Sequence, residues 1–297
     1  MTQILGGVEL SAIIRADVKS SAAALAERGV QPKLSVVTAT DDESTAWYVR
    51  SIAGAAKKAG IACEIVDLGP TASTHHIGSR LIALSKDPGV HGIILQTPLP
   101  AGTDVAALRI EINPDKDIDG SNPVSLGRLL TDQPAFAPAT AQAVMALLDH
   151  HEIDLSGRTA AVVGRSVVVG TPVAHLLIQR DATVTVCHRR TRDLAASTRG
   201  ADVVVVAVGV PGLLTASHIA EGAIIIDVGT TATDGGRLLG DVDVDSVDGR
   251  AGAMTPVPGG VGPVTTALLL ANTVAAAAEL DIRTTVDAGE FVGSAAL

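Results

Sequence analysis

Short, almost wholly apolar runs rich in Val and Ile alternate along this chain with longer segments rich in Ala and Leu. The runs are KLSVVTA from Lys33, IACEIVDL from Ile61, VHGIILQ from Val90, TAAVVG from Thr159, ATVTVC from Ala182, ADVVVVAV from Ala201 and GAIIIDVG from Gly222. A strand with one wet face alternates polar and apolar residues. A continuous apolar run instead fits a parallel-sheet strand covered on both faces. Helical periodicity fills the intervals at Val8–Arg28, Asp42–Ala59, Ser73–Ser85, Thr171–Arg180 and Val264–Glu279. Alternating strands and helices of this kind specify an α/β doubly wound fold.

The chain has 297 residues, enough for one large domain or two small ones with a full core. A seam falls near the middle. Residues 96–139 are rich in Pro, Asp and Gly and read as loops with one short helix; PATAQAVMALLDHH then opens a helix and DLSGRTAAVVG a fresh strand. The expected architecture is an N-terminal α/β half over residues 1–140, completed by residues 264–297 packing back, and a Rossmann-like half over 141–263. The net charge of −10 argues against a nucleic-acid surface. No apolar run is read as a membrane span, and MTQILGGVELSA lacks the parts of a signal peptide. Cys63 and Cys187 lie far apart, outside any metal-ligand spacing, and read as reduced core residues of a cytoplasmic protein.

The segment TAAVVGRSVVVGTPVAHLL is a strand, a glycine turn and a helix, with Gly164 at the strand end, Gly170 at the helix start and Pro172 in the first turn. Such a turn lets phosphate oxygens reach the N–H groups of a helix N-terminus. The next strand ends in His188, Arg189 and Arg190, where an NAD-binding fold usually carries an acid for the ribose diol. Arginines there fit a 2′-phosphate, with Arg165 on the turn as a further donor, so NADP is favoured over NAD. The plainer alternative leaves Arg189 and Arg190 facing solvent. VVVVAVGVPG, with Gly209 and Gly212, and IDVGTT, with Gly229 and Thr230, read either as cofactor-facing turns or as ordinary βα turns.

Three further segments are hard to read as bland loops. Gln96 follows a buried strand and precedes TPLP, and ligands of open α/β sheets bind at strand C-termini. NPDKDIDGSNP begins like a calcium loop, but its twelfth position from Asp115 is Leu126 rather than a bidentate Glu. Asp119 then either grips a flat amino-pyrimidine edge or caps a turn. TPVPGGVGPVTT, containing Pro258, Gly259 and Gly260, is a rigid loop that brings backbone close to a planar ligand.

Taken together these segments resemble the bifunctional methylenetetrahydrofolate dehydrogenase/methenyltetrahydrofolate cyclohydrolases, in order and over nearly the whole chain. GIILQTPLP, NPDKDIDG, GRSVVVGTP, GAIIIDVG, GDVD and TPVPGGVGPVT carry the resemblance, the last most specifically. It implies a two-domain fold with a cleft, a homodimer, a folate-type substrate in the N-terminal domain and NADP in the C-terminal one. It implies Tyr48, Gln96 and Asp119 as catalytic residues, with Tyr48 stacking on the substrate, Gln96 at the reaction centre and Asp119 on the pterin. Val49, Ile52, Pro258, Gly259 and Gly260 complete the substrate contacts. Gly164, Arg165, Ser166 and Thr230 fall on the cofactor side, beside the Gly170, Arg189 and Arg190 read above. No metal, nucleic acid or membrane is implied.

One departure touches the chemistry. The family pattern Y-V-x-x-K places a lysine one helical turn after the tyrosine, and residues i and i+4 share a face. This chain has Ile52 there; Lys57 and Lys58 lie too far along. GSNP also replaces GFHP, and APATAQ lacks the usual Cys and Pro. Hydride transfer from a methylene carbon is driven by the folate nitrogen lone pairs and needs chiefly positioning. Hydrolysis of the methenyl carbon needs proton transfers. The expectation is an NADP-dependent dehydrogenase with weak or absent cyclohydrolase. The rivals are a related enzyme on a modified one-carbon carrier and a non-catalytic folate or NADP sensor. Trp47 reads either as part of an aromatic wall or as a core anchor.

Overall fold

The computed structural model describes residues 1–233 and 236–293, and from 282 onward the helical backbone alone. Its strands are β1 (Gln3–Ile4), β2 (Lys33–Thr38), β3 (Ala62–Asp67), β4 (Gly92–Leu95), β5 (Thr159–Val163), β6 (Thr183–Cys187), β7 (Val203–Val206), β8 (Ile224–Asp227), β9 (Thr231–Ala232), β10 (Leu238–Leu239) and β11 (Ala253–Met254). Its α-helices are α1 (Val8–Glu27), α2 (Glu43–Lys58), α3 (Thr74–Lys86), α4 (Val105–Ile110), α5 (Pro123–Leu130), α6 (Ala139–His150), α7 (Gly170–Ile178), α8 (Leu194–Thr198), α9 (Val244–Val247) and α10 (Val261–Gly293). The chain divides into two compact units. One comprises Ile14–Phe136 with the chain from Leu269 onward, and the other Met1–Ile13 with Ala137–Leu268.

The first unit is built on a three-stranded parallel sheet of order β3-β2-β4. Val37, Val66, Ile93 and Leu95 of the strands form one core with Ile77, Leu81 and Leu84 of α3 and Leu108 and Ile112 at α4. The later turns of α10 anchor here too: Asn272 Nδ2 donates to the Ile118 carbonyl at 2.9 Å. Helix α2 buries Thr45, Val49, Ile52 and Ala56. Those positions recur at three to four residues, the stripe of an amphipathic helix with one face in the core.

The second unit is built on a six-stranded parallel sheet of order β1-β11-β8-β7-β5-β6. Ala161, Val163, Val204, Val206 and Ile225 pack on one face with Leu214, Ile219 and Val247, while the alternate Ala160, Val162, Val203, Val205 and Ile226 are buried on the other. Period-two alternation with both faces covered is why β5, β7 and β8 read as unbroken apolar runs. The expectation of strands buried on both faces fails at β3 and β6. Each is an edge strand with several exposed residues, and their Glu, Asp and Thr residues mark it.

Other departures are local. Residues 1–13, expected in the first half, lie with the second unit, because β1 pairs in parallel with β11. Residues 96–139 hold two short helices, α4 and α5, not one. Helix α10 starts earlier and runs longer than its periodicity indicated. Its Val261–Asp281 stretch is long and apolar enough to cross a membrane by composition, contrary to the sequence reading, yet most of it is buried inside the fold.

Candidate functional site

In the second unit the chain passes from β5 to β6 on one side of β5 and returns to β7 on the other. That reversal leaves an opening at the carboxyl end of β5, where open α/β sheets bind ligands. Gly164 occupies it. Its N–H donates to the Cys187 carbonyl at the end of β6 (2.9 Å), and the Ala207 N–H, just past β7, donates to the Val163 carbonyl (2.8 Å). Gly164 has φ of 125°, and a methyl group on it would collide with the Ala207 carbonyl oxygen. A methyl group on Gly170 would collide with the Gly164 carbonyl. Both glycines are therefore required by backbone packing, which brings the start of α7 against the β5 turn.

Val163 is paired with Cys187, so the Gly164–Ser166 turn and the His188–Thr191 turn sit side by side at adjacent strand ends. The second turn is closed by hydrogen bonds from His188 N to Thr191 Oγ1 (2.9 Å), Thr191 N to the His188 carbonyl (2.7 Å) and Arg190 N to His188 Nδ1 (3.2 Å). Arg165, Arg189 and Arg190 are exposed and have no carboxylate partner among the described residues. Unpaired arginines around a glycine turn fit a dinucleotide carrying a 2′-phosphate.

Ser166 Oγ accepts from Val169 N (3.2 Å) and more weakly from Gly170 N (3.4 Å), closing the turn that leads into α7. Only its hydroxyl hydrogen is left for a ligand. Thr230 is exposed beyond the end of β8, and Gly229 behind it is buried.

The Pro258–Gly260 loop lies in this unit as well. Pro258 is exposed, Gly259 has φ of 106°, and Gly260 is buried. The Gly259 carbonyl accepts from Gly7 N at 2.8 Å, and a methyl group on Gly260 would lie 2.7 Å from the Pro256 carbonyl oxygen. The glycines thus serve close approach of the protein's own backbone, and Pro258 is the member with a free surface. Gly7, which sequence reasoning passed over, is equally constrained: a methyl group there would collide with the Gly260 carbonyl.

The first unit supplies Tyr48, Val49, Ile52, Gln96 and Asp119. Asp42 caps α2, its Oδ2 accepting from Thr45 N and Thr45 Oγ1 at 2.7 Å each and from Ser44 Oγ at 2.6 Å. Those bonds hold the Asp42 carboxyl below its ordinary pKa. Tyr48, in the second turn, is half-buried. Val49 and Ile52 are buried, Ile52 with no exposed surface, and both lie in the packed stripe of α2. Trp47 is 64% exposed, which removes the core-anchor reading.

Gln96 emerges from the carboxyl end of β4, its N–H bonded to the Val37 carbonyl (2.9 Å) and its Nε2 donating to the Thr97 carbonyl (2.8 Å). Its Oε1 has no hydrogen bond among the described residues. The three acids of NPDKDIDG separate into distinct roles. Asp115 pairs with Arg128 at 3.5 Å. Asp117 is fully buried and accepts from Ser121 N (3.0 Å) and Asn122 N (2.8 Å). Burial raises its pKa against the opposing pull of those bonds. Asp117 is thus a turn-capping acid, and Asp119 is half-buried. Lys116, between Asp115 and Asp117, is buried and donates from Nζ to the Asp87 carbonyl at 2.6 Å, tying this loop to the end of α3. Burial lowers its pKa.

Two sequence families match the chain. Residues 5–119 match the tetrahydrofolate dehydrogenase/cyclohydrolase catalytic domain, and residues 138–281 its NAD(P)-binding domain. The chain is 71% identical over 277 residues to the bifunctional protein FolD 1 of Rhodococcus jostii, with 93% of each covered. It is 64% identical to FolD 1 of Saccharopolyspora erythraea, covering 93% of this chain and 94% of that protein. Among solved structures, the bifunctional FolD of Campylobacter jejuni superposes with a TM-score of 0.91 at 38% identity, covering 94% of this chain and 99% of that one. The Trypanosoma brucei FolD, solved with NADP cofactor and an inhibitor, gives 0.89 at 36% identity, covering 94% and 98%.

Proposed function

The chain belongs to the tetrahydrofolate dehydrogenase/cyclohydrolase family, and on that premise we propose that it oxidises 5,10-methylenetetrahydrofolate to the methenyl level with NADP⁺ as hydride acceptor. It is an enzyme of that family with an NADP-binding domain. The observation that carries the reading is the set of Arg165, Arg189 and Arg190, without acidic partners among the described residues, at the glycine-enforced turn of Gly164 and the adjacent strand end.

When bound, NADP⁺ supplies the hydride acceptor. The chain's own residues position the reactants. Gly164 and Gly170 keep side chains away from the phosphate path, and the arginines take the 2′-phosphate. Tyr48 offers an aromatic face for stacking, Asp119 a carboxylate for the amino-pyrimidine edge, and Gln96 Oε1 an acceptor near the reacting carbon. Pro258 adds an apolar surface. None of them has to move a proton during hydride transfer.

Cyclohydrolysis is proposed to be weak. Residue 52 is a fully buried isoleucine where the family pattern has lysine, and an amide such as Gln96 can orient water but cannot accept its proton. Loss of an acid/base group costs about 10²–10⁴-fold. A second reading has support in the relatives' names: they are called bifunctional, and in that case Asp119 or Tyr48 takes the proton-transfer role here. A cytoplasmic homodimer belongs to the same proposal, and sedimentation at assay concentration tests the dimer. The function itself is tested by mixing purified protein with methylenetetrahydrofolate and either NADP⁺ or NAD⁺. Reduction of NADP⁺ at the higher kcat/KM supports the proposal, and no reduction of either overturns it.

A further inference from the structure

Two buried aspartates stand behind the cofactor turns, and neither belongs to the site described above. Asp227 ends β8 and is 3% exposed; Asp241 follows β10 and is fully buried. Asp227 Oδ1 accepts from Gly229 N (2.9 Å) and Asp241 N (3.0 Å), and its Oδ2 accepts from Val242 N (3.0 Å). Its own N–H donates to Thr255 Oγ1 at 2.8 Å, at the start of the loop leading to Pro258. Asp241 Oδ2 accepts from Val208 N (2.7 Å) and Gly209 N (3.0 Å), in the turn after β7. Asp241 Oδ1 has no hydrogen-bond partner among the described residues.

Glycines enclose the pair. A methyl group on Gly229 would collide with the Asp241 carboxyl, and one on Gly240 would collide with the Asp227 carboxyl. The result is a backbone-to-carboxylate relay running from Thr255 through Asp227 and Asp241 to Val208–Gly209. It joins the loops at the carboxyl ends of β11, β8 and β7, the edge along which a dinucleotide lies in an open α/β sheet.

We propose that Asp241 is a positioning residue for the cofactor, holding the Val208–Gly209 turn in place and transmitting that position through Asp227 to the Gly229–Thr230 turn and the Thr255–Pro258 loop. Its part in this is that of a hydrogen-bond acceptor. Only Oδ2 is used, so an asparagine can present its oxygen to both N–H groups and place its NH₂ where Oδ1 stands unpartnered. Asp227 uses both oxygens for three N–H groups, so an asparagine there sets an NH₂ against a donor.

The inference rests on NADP lying at this strand edge, and the two fail separately. If the unmodified protein binds no NADP⁺, the cofactor reading fails; if it binds and the variants below do not respond, the relay fails. Steady-state kinetics and NADP⁺ calorimetry on Asp241→Ala, Asp241→Asn and Asp227→Asn make the test. Asp241→Ala is expected to raise the NADP⁺ KM about tenfold or more with a smaller change in kcat, as for a lost buried hydrogen-bond partner. Asp241→Asn is expected to restore KM to within about threefold of the unmodified protein, and Asp227→Asn to resemble Asp241→Ala. An unchanged KM in folded Asp241→Ala overturns the proposal, as does an Asp241→Asn variant as impaired as the alanine. If Asp241→Ala does not fold, Asp241→Asn decides alone: a near-normal KM supports the acceptor role, and a tenfold rise contradicts it.

Discussion

Gly164 and Gly54 are both glycines in a βα unit, yet they meet different surroundings. A methyl group on Gly164 would run into the Ala207 carbonyl, and φ there is 125°. A methyl group on Gly54, in the middle of α2, meets nothing within 4 Å. The contrast extends to the units that contain them. On the cofactor side, Gly164, Gly170, Gly229 and Gly240 are fixed by backbone and carboxylate contacts that no other residue satisfies. In the first unit, the candidate substrate residues are side chains on α2, at Gln96 and at Asp119. A site built from backbone admits few sequences; a site built from side chains can lose one group and keep its frame. Ile52 is the proposed instance of the second case: it fills its place in the α2 stripe where the family pattern carries a lysine.

Gly164→Ala gives the largest expected effect. Strain at a positive φ costs about 1–3 kcal/mol, and the collision adds to it. NADP⁺ affinity is expected to fall by about 10²-fold or the unit to unfold, read by calorimetry and thermal melting. Near-normal NADP⁺ binding would erase the distinction between the units. Next comes the pair Arg189→Ala with Arg190→Ala. Charged hydrogen bonds contribute about 1.5–3 kcal/mol each when shielded from water and less at an exposed turn such as this, so the NADP⁺ KM is expected to rise by about 10–100-fold while that for NAD⁺ barely moves. Equal rises for both cofactors would return the arginines to the solvent-facing alternative.

Asp119→Ala probes the other unit. Losing one charged hydrogen bond is expected to raise the folate KM about tenfold and leave NADP⁺ binding unchanged; an unaltered folate KM would return Asp119 to turn capping, the role Asp117 already fills. Gly54→Ala is expected to do least. Alanine is better than glycine in a helix interior by about 0.8–1 kcal/mol, so the melting temperature should rise slightly with activity intact. A loss of activity there would show that α2 is held as tightly as the β5 turn.

Much of this was legible in the sequence. Continuous runs such as VVVV and IIID announced the central strands, and the glycine turn with two arginines after the neighbouring strand announced the cofactor edge. The edge position of β6 was less visible, because its alternating threonines sat within a run otherwise apolar. The two-residue strands β1 and β11 were illegible, since two residues carry no periodicity. Asp227 carried an unread signal: an acid ending a buried apolar run needs donors, and three backbone N–H groups provide them. The sorting of Asp115, Asp117 and Asp119 depends on which carboxylate folds inward, and spacing alone does not specify that.

The contrast between a retained frame and a lost amine is tested most directly by methenyltetrahydrofolate hydrolysis. Decay of the methenyl absorbance would be followed with the unmodified protein and with buffer alone, in a preparation shown to reduce NADP⁺ with methylenetetrahydrofolate. Decay close to the buffer rate beside active hydride transfer is the expected result. Rapid enzyme-dependent decay would contradict it and place the acid/base group on a residue other than 52.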